Sequence, residues 1–240
     1  MALIQVDPSI WVIPGVVKFS KKNTMPCRAT LIRLSDGKLW LHSPVKLTPE
    51  DIQQIQGLGD VAYLVAPNNY HHLFFGAAAE AFPQAQTWAP AGLERKRPDL
   101  TFSHQLGTGA APWTQDIQTM PIDGAPKISE WAFYHGASDT LVVTDVLFNF
   151  NPDELSGGTR LLVKMMGAYG MAAQSRTWRL MVKDRKAHQR SLQNLLELPI
   201  KRLIMAHGEI IDAHAHARTE AALARGLSLF KSSPKPYSPS

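Results

Sequence analysis

Three short apolar runs of this chain each end in a residue that can bind a metal ion. Residues 61–72 read VAYLVAPNNYHH, residues 140–145 read TLVVTD, and residues 202–208 read RLIMAHG. Continuous apolar runs of this length, bounded by turn residues, are typical of strands that are buried on both faces. The pattern predicts an α/β chain in which buried strands alternate with helices.

Turn and cap residues divide the rest of the chain into hairpins and helices. The segment 35–38 (SDGK) separates two apolar runs, and Asp-Gly at such a position favours a hairpin because the central residues take positive φ. Thr48 followed by Pro49 predicts the start of a helix. The first half reads β-β-α-β-α-β. The second half reads as strands, a methionine-rich helical stretch over residues 153–198, a strand and a closing helix.

Length and composition indicate one globular unit. The chain has 240 residues, of which 45% are apolar, so a sizeable core is expected. We predict one domain over residues 1–230 and a polar, proline-rich tail, expected to be disordered, over residues 231–240. The single cysteine, Cys27, excludes an intramolecular disulfide and is expected to be a core residue rather than a nucleophile.

Targeting signals and membrane spans are absent from the sequence pattern. The first residues lack a basic flank followed by an apolar core, and no apolar run approaches the roughly 20 residues that span a bilayer. We therefore expect a cytoplasmic protein without a membrane partner. The oligomeric state does not follow from the sequence.

The charge is mildly basic, with a formal net charge of +5. Lysine and arginine are scattered, apart from a denser stretch, RLMVKDRKAHQR, at Arg179–Arg190. A mild excess of this kind predicts a solvated basic face rather than a nucleic-acid site. Zinc-finger spacings, a P-loop and an aromatic-basic RNA-binding pattern are all missing from the sequence, so no nucleic-acid partner is predicted.

Four residues at the ends of the apolar runs form a candidate metal site: His71, His72, Asp145 and His207. In α/β proteins, sites gather beyond the carboxyl ends of strands, where the loops diverge. Histidine nitrogen and carboxylate oxygen are common donors to first-row metals. A fourth run, KLWLHSP, ends at His42, which would join the site from its rim.

Each of these residues also has a structural interpretation. His72 would be an ordinary residue of a first helical turn, with Asn69 as the N-cap. Asp145 would cap the turn after its strand, and His207 would be a core histidine at a tight turn before Gly208. For each residue taken singly the structural interpretation is the better one, but the similar placement of all three at strand ends weakens it.

Five stretches of the chain are distinctive as a set: RLSDGKLWLHSPVKLT, VAPNNYHHLFFG, FPQAQTWAPAGL, SDTLVVTDVLFNF and IMAHG. Together they resemble the metallo-β-lactamase superfamily, in particular an uncharacterised branch described as a domain of unknown function. The resemblance covers residues 9–225 and implies an αββα sandwich with two mixed sheets and outer helices. No activity follows from that branch.

The superfamily motif His-x-His-x-Asp-His falls in register on residues 67–72, PNNYHH. The first two histidines are replaced by Pro67 and Asn69, and the aspartate is replaced by His71. The third histidine of the first metal site should fall within TMPIDGAPK, which contains none. The resemblance therefore implies that the first site is lost, whereas His72, Asp145 and His207 match ligands of the second.

Two interpretations of this half-site remain open. In one, His71, His72, Asp145 and His207 hold one divalent ion, Zn²⁺ or else Fe or Mn with added waters. In the other, the pocket is a relic that binds no metal. The methionine-rich segment LLVKMMGAYGMAAQ would wall a hydrophobic substrate cavity, or would simply pack as helix.

Three classes of function are compatible with these residues. The first is a mononuclear metal-dependent hydrolase or lyase that acts on a small, partly apolar molecule. In it, Asp145 would orient water or serve as a ligand, and His42, Asn69 and Tyr70 would bind the substrate. The second is a non-catalytic binding protein that uses the same cleft. The third is an interaction scaffold whose contact face is the basic stretch Arg179–Arg190.

Overall fold

The structure is a computed structural model that describes residues 3–18, 20, 23–155 and 157–228, so the predicted tail at residues 231–240 lies outside the described residues. Its strands are β1 (Ile4–Asp7), β2 (Ile10–Lys18), β3 (Thr24–Arg33), β4 (Leu39–His42), β5 (Val61–Val65), β6 (Gln86–Ala89), β7 (His104–Gln105), β8 (Ile117–Pro121), β9 (Trp131–His135), β10 (Thr140–Val143) and β11 (Arg202–Met205). Its helices are α1 (Pro49–Leu58), α2 (Phe75–Ala81), α3 (Leu93–Lys96), α4 (Gly157–Met166), α5 (Arg176–Leu180), α6 (Arg185–Leu196) and α7 (Ala215–Ser228).

Two mixed sheets form the centre of the protein. The larger sheet has seven strands in the order β1-β2-β3-β4-β5-β6-β7, antiparallel up to β4 and parallel from β4 onward. The smaller sheet has the order β11-β10-β9-β8, in which β10 and β11 are parallel and the other pairs antiparallel. This confirms the predicted pair of mixed sheets.

Three apolar clusters show how the layers stack. One lies between the sheets, where Trp40 and Val65 of the larger sheet meet Phe133 and Ile204 of the smaller one. A second packs α1, α2 and α3 against the outer face of the larger sheet, and a third packs α5, α6 and α7 against the smaller sheet. The arrangement is the predicted αββα sandwich, because each sheet buries one face on the other and one face under helices.

Local signals in the sequence account for the main turns. The hairpin between β3 and β4 turns through Gly37 with φ 84°, as Asp-Gly predicts. Thr48 caps α1 in a capping box, because its hydroxyl accepts from the Asp51 N–H while the Asp51 carboxylate accepts from the Thr48 N–H. These elements orient β4 and β5 so that both end on the same edge of the sandwich.

The parallel pairs place four strand ends together. Since β4 is parallel to β5 and β10 is parallel to β11, the segments that follow these strands leave the two sheets at one edge. Those segments carry residues 66–72, 144–145 and 206–207. No helix in the described part of the chain is both long and apolar enough to cross a bilayer.

Candidate metal centre

Three side chains from the two sheets converge at this edge. The Nε2 atoms of His71 and His207 lie 3.2 Å apart, and Asp145 Oδ1 lies 3.3 Å from His71 Nε2 and 3.5 Å from His207 Nε2. An ion about 2.0–2.2 Å from tetrahedral donors would separate them by about 3.3–3.6 Å. The three atoms therefore already have nearly the spacing of three corners of a tetrahedral site.

His207 is held in the tautomer that a metal ligand requires. It follows β11, and its Nδ1–H donates to the Pro26 carbonyl at 2.9 Å, which leaves the lone pair of Nε2 pointing at the cluster. Gly208 follows with φ 88°, and a Cβ there would lie 2.1 Å from the Asn149 carbonyl oxygen. The close approach of that backbone explains why glycine follows the histidine.

His71 is oriented by Ser43, the residue after β4. Ser43 Oγ lies 2.7 Å from His71 Nδ1, so Nε2 faces Asp145 and His207. Ser43 is buried and has φ 51°, a left-handed conformation that is uncommon for a residue other than glycine. Such strain is typical of positions where the surrounding structure fixes a functional side chain.

Asn68 joins the loop that carries His71 to the loop that carries Asp145. Its Oδ1 accepts from the backbone N–H groups of Tyr70 and His71, both at 2.8 Å. Its Nδ2 donates to Asp145 Oδ2 at 2.8 Å, so Oδ1 of that carboxylate is left to face the histidines. A single amide thereby sets the positions of two of the three candidate ligands.

Glu130 fixes the backbone around Asp145 through hydrogen bonds. Its buried carboxylate accepts from the N–H groups of Thr144 at 2.9 Å, Asp145 at 3.1 Å and Val146 at 3.1 Å. Asn68 adds a longer contact at 3.4 Å. The hydrogen bonds favour the ionised form of this group, but burial, and next the charge on Asp145, outweigh them and raise its pKa to about 7.

The charges of the cluster follow from burial and proximity. Burial alone would lower the pKa of His71, but the charge and hydrogen bond of Asp145, with the charge of Glu130, outweigh burial and raise it. Burial would raise the pKa of Asp145, yet His71, His207 and Asn68 hold it at about 2. Burial, and next the charge on His71, lowers the pKa of His207 to about 4. The cluster thus contains a carboxylate, a neutral imidazole and a second imidazole that favours its cationic form.

This donor set suits a divalent ion. With both histidines neutral and Glu130 ionised, the carboxylates of Asp145 and Glu130 would balance the two charges of the ion. Each candidate ligand also has an outer partner, namely Ser43, Asn68 and the Pro26 carbonyl, as metal ligands in proteins usually do. Three protein donors would leave a coordination position open, which is the pattern of catalytic rather than structural sites.

The prediction that His72 joins this cluster does not match the geometry. Its Nδ1 lies 2.8 Å from an Arg97 guanidinium nitrogen and accepts from it, so the remaining proton sits on Nε2. Burial, followed by the charges of Lys96 and Arg97, lowers the pKa of His72 to about 4. A side chain that already binds a cation, and has a second one close by, cannot serve as a ligand without losing that contact.

Two predicted substrate-binding residues also point elsewhere. His42 lies between the sheets, stacked on Trp40 and against the edge of Phe133, and burial, followed by the charge on His71, holds its pKa well below 6.5. Asn69 is buried too, and its Nδ2 donates to the Lys127 carbonyl at 3.4 Å. Neither side chain lines the cavity beside the cluster.

Tyr70 lies where a substrate-binding residue would be expected. It lines a cavity of about 470 Å³ that the cluster also faces, and Lys96 Nζ sits 4.4 Å from the centre of its ring. A cavity of this volume holds a small organic molecule. Its walls are mainly apolar and include Met25, Val45, Phe148, Met166, Trp178 and Met181. Met166 is the one residue of the segment LLVKMMGAYGMAAQ among those that line this cavity; for that segment the sequence leaves cavity wall and helix packing as alternatives.

Cys27 also lines this cavity, and its burial predicts an unreactive thiol. Burial raises the pKa of its thiol to about 11, with Arg28 opposing the shift only in part. At pH 8 we expect the folded protein to react with a disulfide reagent at least about 100-fold more slowly than the urea-unfolded chain, because the thiolate is the reactive form. Similar rates in the two states would show that the thiol is accessible and ionised.

Sequence reasoning missed Ser43, Asn68 and Glu130. Weak signals were present: a serine directly after an apolar run, an asparagine between strand end and histidine pair, and an acid directly before the apolar run of β9. None of these forms a spaced motif. Their contacts join residues up to 77 positions apart, so they become visible when the two sheets are placed together.

Comparison with known protein families shows to which family this chain belongs. The sequence matches the family described as "Domain of unknown function (DUF4336)" over residues 8–156, which is more than half of the chain. The chain belongs to the DUF4336 family. No curated protein matches its sequence.

The fold of this DUF4336 protein is that of the metallo-β-lactamases. The DIM-1 metallo-β-lactamase exposed to ceftazidime superposes with a TM-score of 0.65 at 12% identity, covering 93% of this chain and 96% of that one. A metallo-β-lactamase from Pontibacter korlensis gives 0.63 at 13%, covering 93% and 98%. One from Hirschia baltica gives 0.63 at 9%, covering 92% and 96%. At these identities the likeness establishes the fold, as the resemblance implied.

Proposed function

We propose that this DUF4336 protein is a mononuclear metal-dependent hydrolase that acts on a small, partly apolar molecule. The observation that carries the proposal is the triangle of His71 Nε2, Asp145 Oδ1 and His207 Nε2, with sides of 3.2, 3.3 and 3.5 Å. The ion would be Zn²⁺, Fe²⁺ or Mn²⁺, all of which accept two histidines and a carboxylate. When bound, it would polarise a carbonyl and lower the pKa of water.

The residues of the chain have distinct parts in this proposal. His71, Asp145 and His207 would hold the ion, and Ser43, Asn68 and Glu130 would keep them in position. Asp145 would also be the nearest carboxylate to a reacting water. The apolar walls would bind the body of the substrate and exclude bulk water, and Tyr70 would contact it at the edge of the cavity.

The fold supports this proposal in a limited way. The superposed structures are titled metallo-β-lactamases, a name that includes a metal, but their sequences are 9–13% identical to this chain. The first metal site of the superfamily motif is not expected here, because Pro67 offers no donor and the Asn69 amide bonds to the Lys127 carbonyl. We also keep a cytoplasmic location as part of the proposal, since the thiol of Cys27 is free.

One observation favours a second candidate, a non-catalytic binding protein on the same fold. Without an ion, the cluster can satisfy itself, because the one Nε2–H of a cationic His71 can be shared between Asp145 Oδ1 and His207 Nε2. Such a protein would bind an apolar molecule in the cavity and retain the histidines for packing. Metal content separates the two candidates.

His71 and His72 are adjacent in the chain, so they provide a matched test of the metal site. Metal content is measured in two preparations. One is protein purified without chelator, and the other is chelator-stripped protein reloaded with Zn²⁺, Mn²⁺ or anaerobic Fe²⁺. We expect about one equivalent of metal per chain in the wild type and in His72→Ala. We expect less than about a tenth of an equivalent in His71→Ala, because that change removes one of three donors.

Each other result has a definite meaning. Equal metal content in the two variants would contradict the assignment of His71 as a ligand. Two equivalents per chain would contradict a mononuclear site. Wild-type protein that takes up none of the three metals, although folded by circular dichroism, would favour the binding protein.

A further inference from the structure

Exposed apolar side chains are concentrated beside the cavity. Of the nine large apolar side chains that are exposed among the described residues, seven fall within residues 70–73 and 161–180. The most exposed are Leu180 at 86%, Leu161 at 60% and Met165 at 58%. Isolated exposed leucines are ordinary, but a concentration of them beside a cavity indicates an interaction surface.

Helix α4 is apolar on two faces. Thr159 and Val163 are buried, and Met166, one turn further, lines the cavity. Leu161, Leu162 and Met165 occupy the other side and are exposed. A helix with apolar residues on both sides normally packs against something on each, and no described element covers the outer side of α4.

The same segment is basic, and the acidic residues Asp153, Glu154 and Asp184 lie directly outside it. Residues 155–183 contain Arg160, Lys164, Arg176, Arg179 and Lys183 and no aspartate or glutamate. This local charge of +5 equals the formal net charge of the whole chain. Lysine and arginine beside exposed leucine and methionine are the composition of helices that lie in the headgroup region of anionic membranes.

We propose that the surface formed by α4, α5 and the exposed residues of segment 70–73 binds an anionic phospholipid bilayer. The basic side chains would contact the headgroups, and Leu161, Met165 and Leu180 would enter the acyl boundary. The cavity shares α4 and α5 with this surface, since Met166 and Trp178 line it. Apolar molecules dissolved in the bilayer would then be close to the candidate metal centre.

Other occupants fit this surface less well. A second copy of the chain would bring two segments of charge +5 together. Nucleic acid would match the charge, but single strands are bound by stacking on aromatic rings, whereas the exposed residues here are mainly leucine and methionine. The expectation of no membrane partner came from the absence of a spanning segment, and surface binding requires none.

The test is co-sedimentation of the full chain with vesicles. Vesicles of phosphatidylcholine are compared with vesicles of phosphatidylcholine mixed with phosphatidylglycerol. We expect binding to the anionic vesicles to be at least about tenfold stronger, because each basic residue near the surface adds attraction. Raising the salt from about 0.1 M to about 0.5 M NaCl should weaken it, since charge attraction is screened.

The chain offers a matched pair of variants. The triple change Leu161→Ser, Met165→Ser, Leu180→Ser should lower binding to anionic vesicles at least about tenfold, because it removes the apolar part of the contact. The double change Ile4→Ser, Val16→Ser alters the other two of the nine exposed large apolar side chains in the described part of the chain and should leave binding unchanged. Both variants are checked for folding by circular dichroism.

Several results would overturn the proposal. They are equal binding to both kinds of vesicle, no binding to either, and equal loss in the two folded variants. A wild-type dimer in gel filtration that the triple variant abolishes would assign the surface to a second copy. Binding to an acidic protein or to nucleic acid, without binding to anionic vesicles, would assign it to that partner. None of these readouts involves metal, so this proposal and the proposed hydrolase can fail separately.

Discussion

Replacement of Asp145 with asparagine is expected to weaken Zn²⁺ binding by at least about 100-fold while the protein stays folded. Asp145 supplies the negatively charged donor of the cluster, with Oδ1 at 3.3 and 3.5 Å from the two histidine nitrogens. Loss of an outer hydrogen-bond partner of a metal ligand costs about 10–100-fold in affinity, so loss of the charged ligand should reach at least the upper end. Competition with a chromophoric chelator measures the affinity.

The control for this variant is Asp60→Asn, which changes an exposed aspartate just before β5. It should bind Zn²⁺ like the wild type. Zinc should also raise the melting temperature of the wild type and of Asp60→Asn, because a ligand that binds the native state stabilises it. If zinc stabilises Asp145→Asn as strongly as the wild type, the ion binds elsewhere and the proposed centre is wrong.

Replacement of Glu130 with alanine is expected to lower the free energy of unfolding by about 3 kcal/mol or more at pH 8. The change leaves the buried N–H groups of residues 144, 145 and 146 without their acceptor, and each such group costs about 1–3 kcal/mol. Glu130→Gln keeps the size but turns an amide nitrogen toward N–H donors, so it should show most of the same loss. Urea unfolding followed by circular dichroism measures both.

An exposed glutamate on α2, Glu80, provides the comparison, because Glu80→Ala should change stability by no more than about 0.5 kcal/mol. A Glu130→Ala protein as stable as Glu80→Ala would contradict the described network.

The pH profile adds a second readout for Glu130. Burial, and next the charge on Asp145, raises the pKa of Glu130 from 4.5 to about 7. Because its folded pKa lies above the unfolded one, the stability that comes from this pKa shift is fully present below about pH 4.5 and is lost as the pH rises through about 7. The contribution of its hydrogen bonds to the three N–H groups remains at pH 8. Glu130→Ala should remove this part of the profile.

Strand ends and hairpins were predictable because their signals are local. Apolar runs, the Asp-Gly turn and the Thr48 cap each depend on neighbouring residues. The motif register pointed to residues 67–72, Asp145 and His207, which follow strand ends that the fold brings to one edge. The choice between His71 and His72 was not predictable, since adjacent side chains in an irregular turn point in different directions. The direction depends on Asn68, which binds two backbone N–H groups of that turn.

The burial of His42 between the sheets could not be predicted from the sequence, for a different reason. Strand β4 is buried on both faces, so its four residues show no alternation that separates the side between the sheets from the side under the helices. The partner that places His42 inside is Phe133, on the other sheet. Contacts between sheets depend on how the layers stack, and a single sequence carries little direct information about that.

The span of the cluster along the chain has a consequence for folding. The contact between His71 and His207 joins positions 136 residues apart. An ion held by both would act as a cross-link that closes a long loop, and such links restrict a chain more as the loop grows. With one cysteine, this chain cannot form an internal disulfide. Metal would thus give it a reversible cross-link between its first and last thirds. A chelator would remove this cross-link without any change in redox conditions.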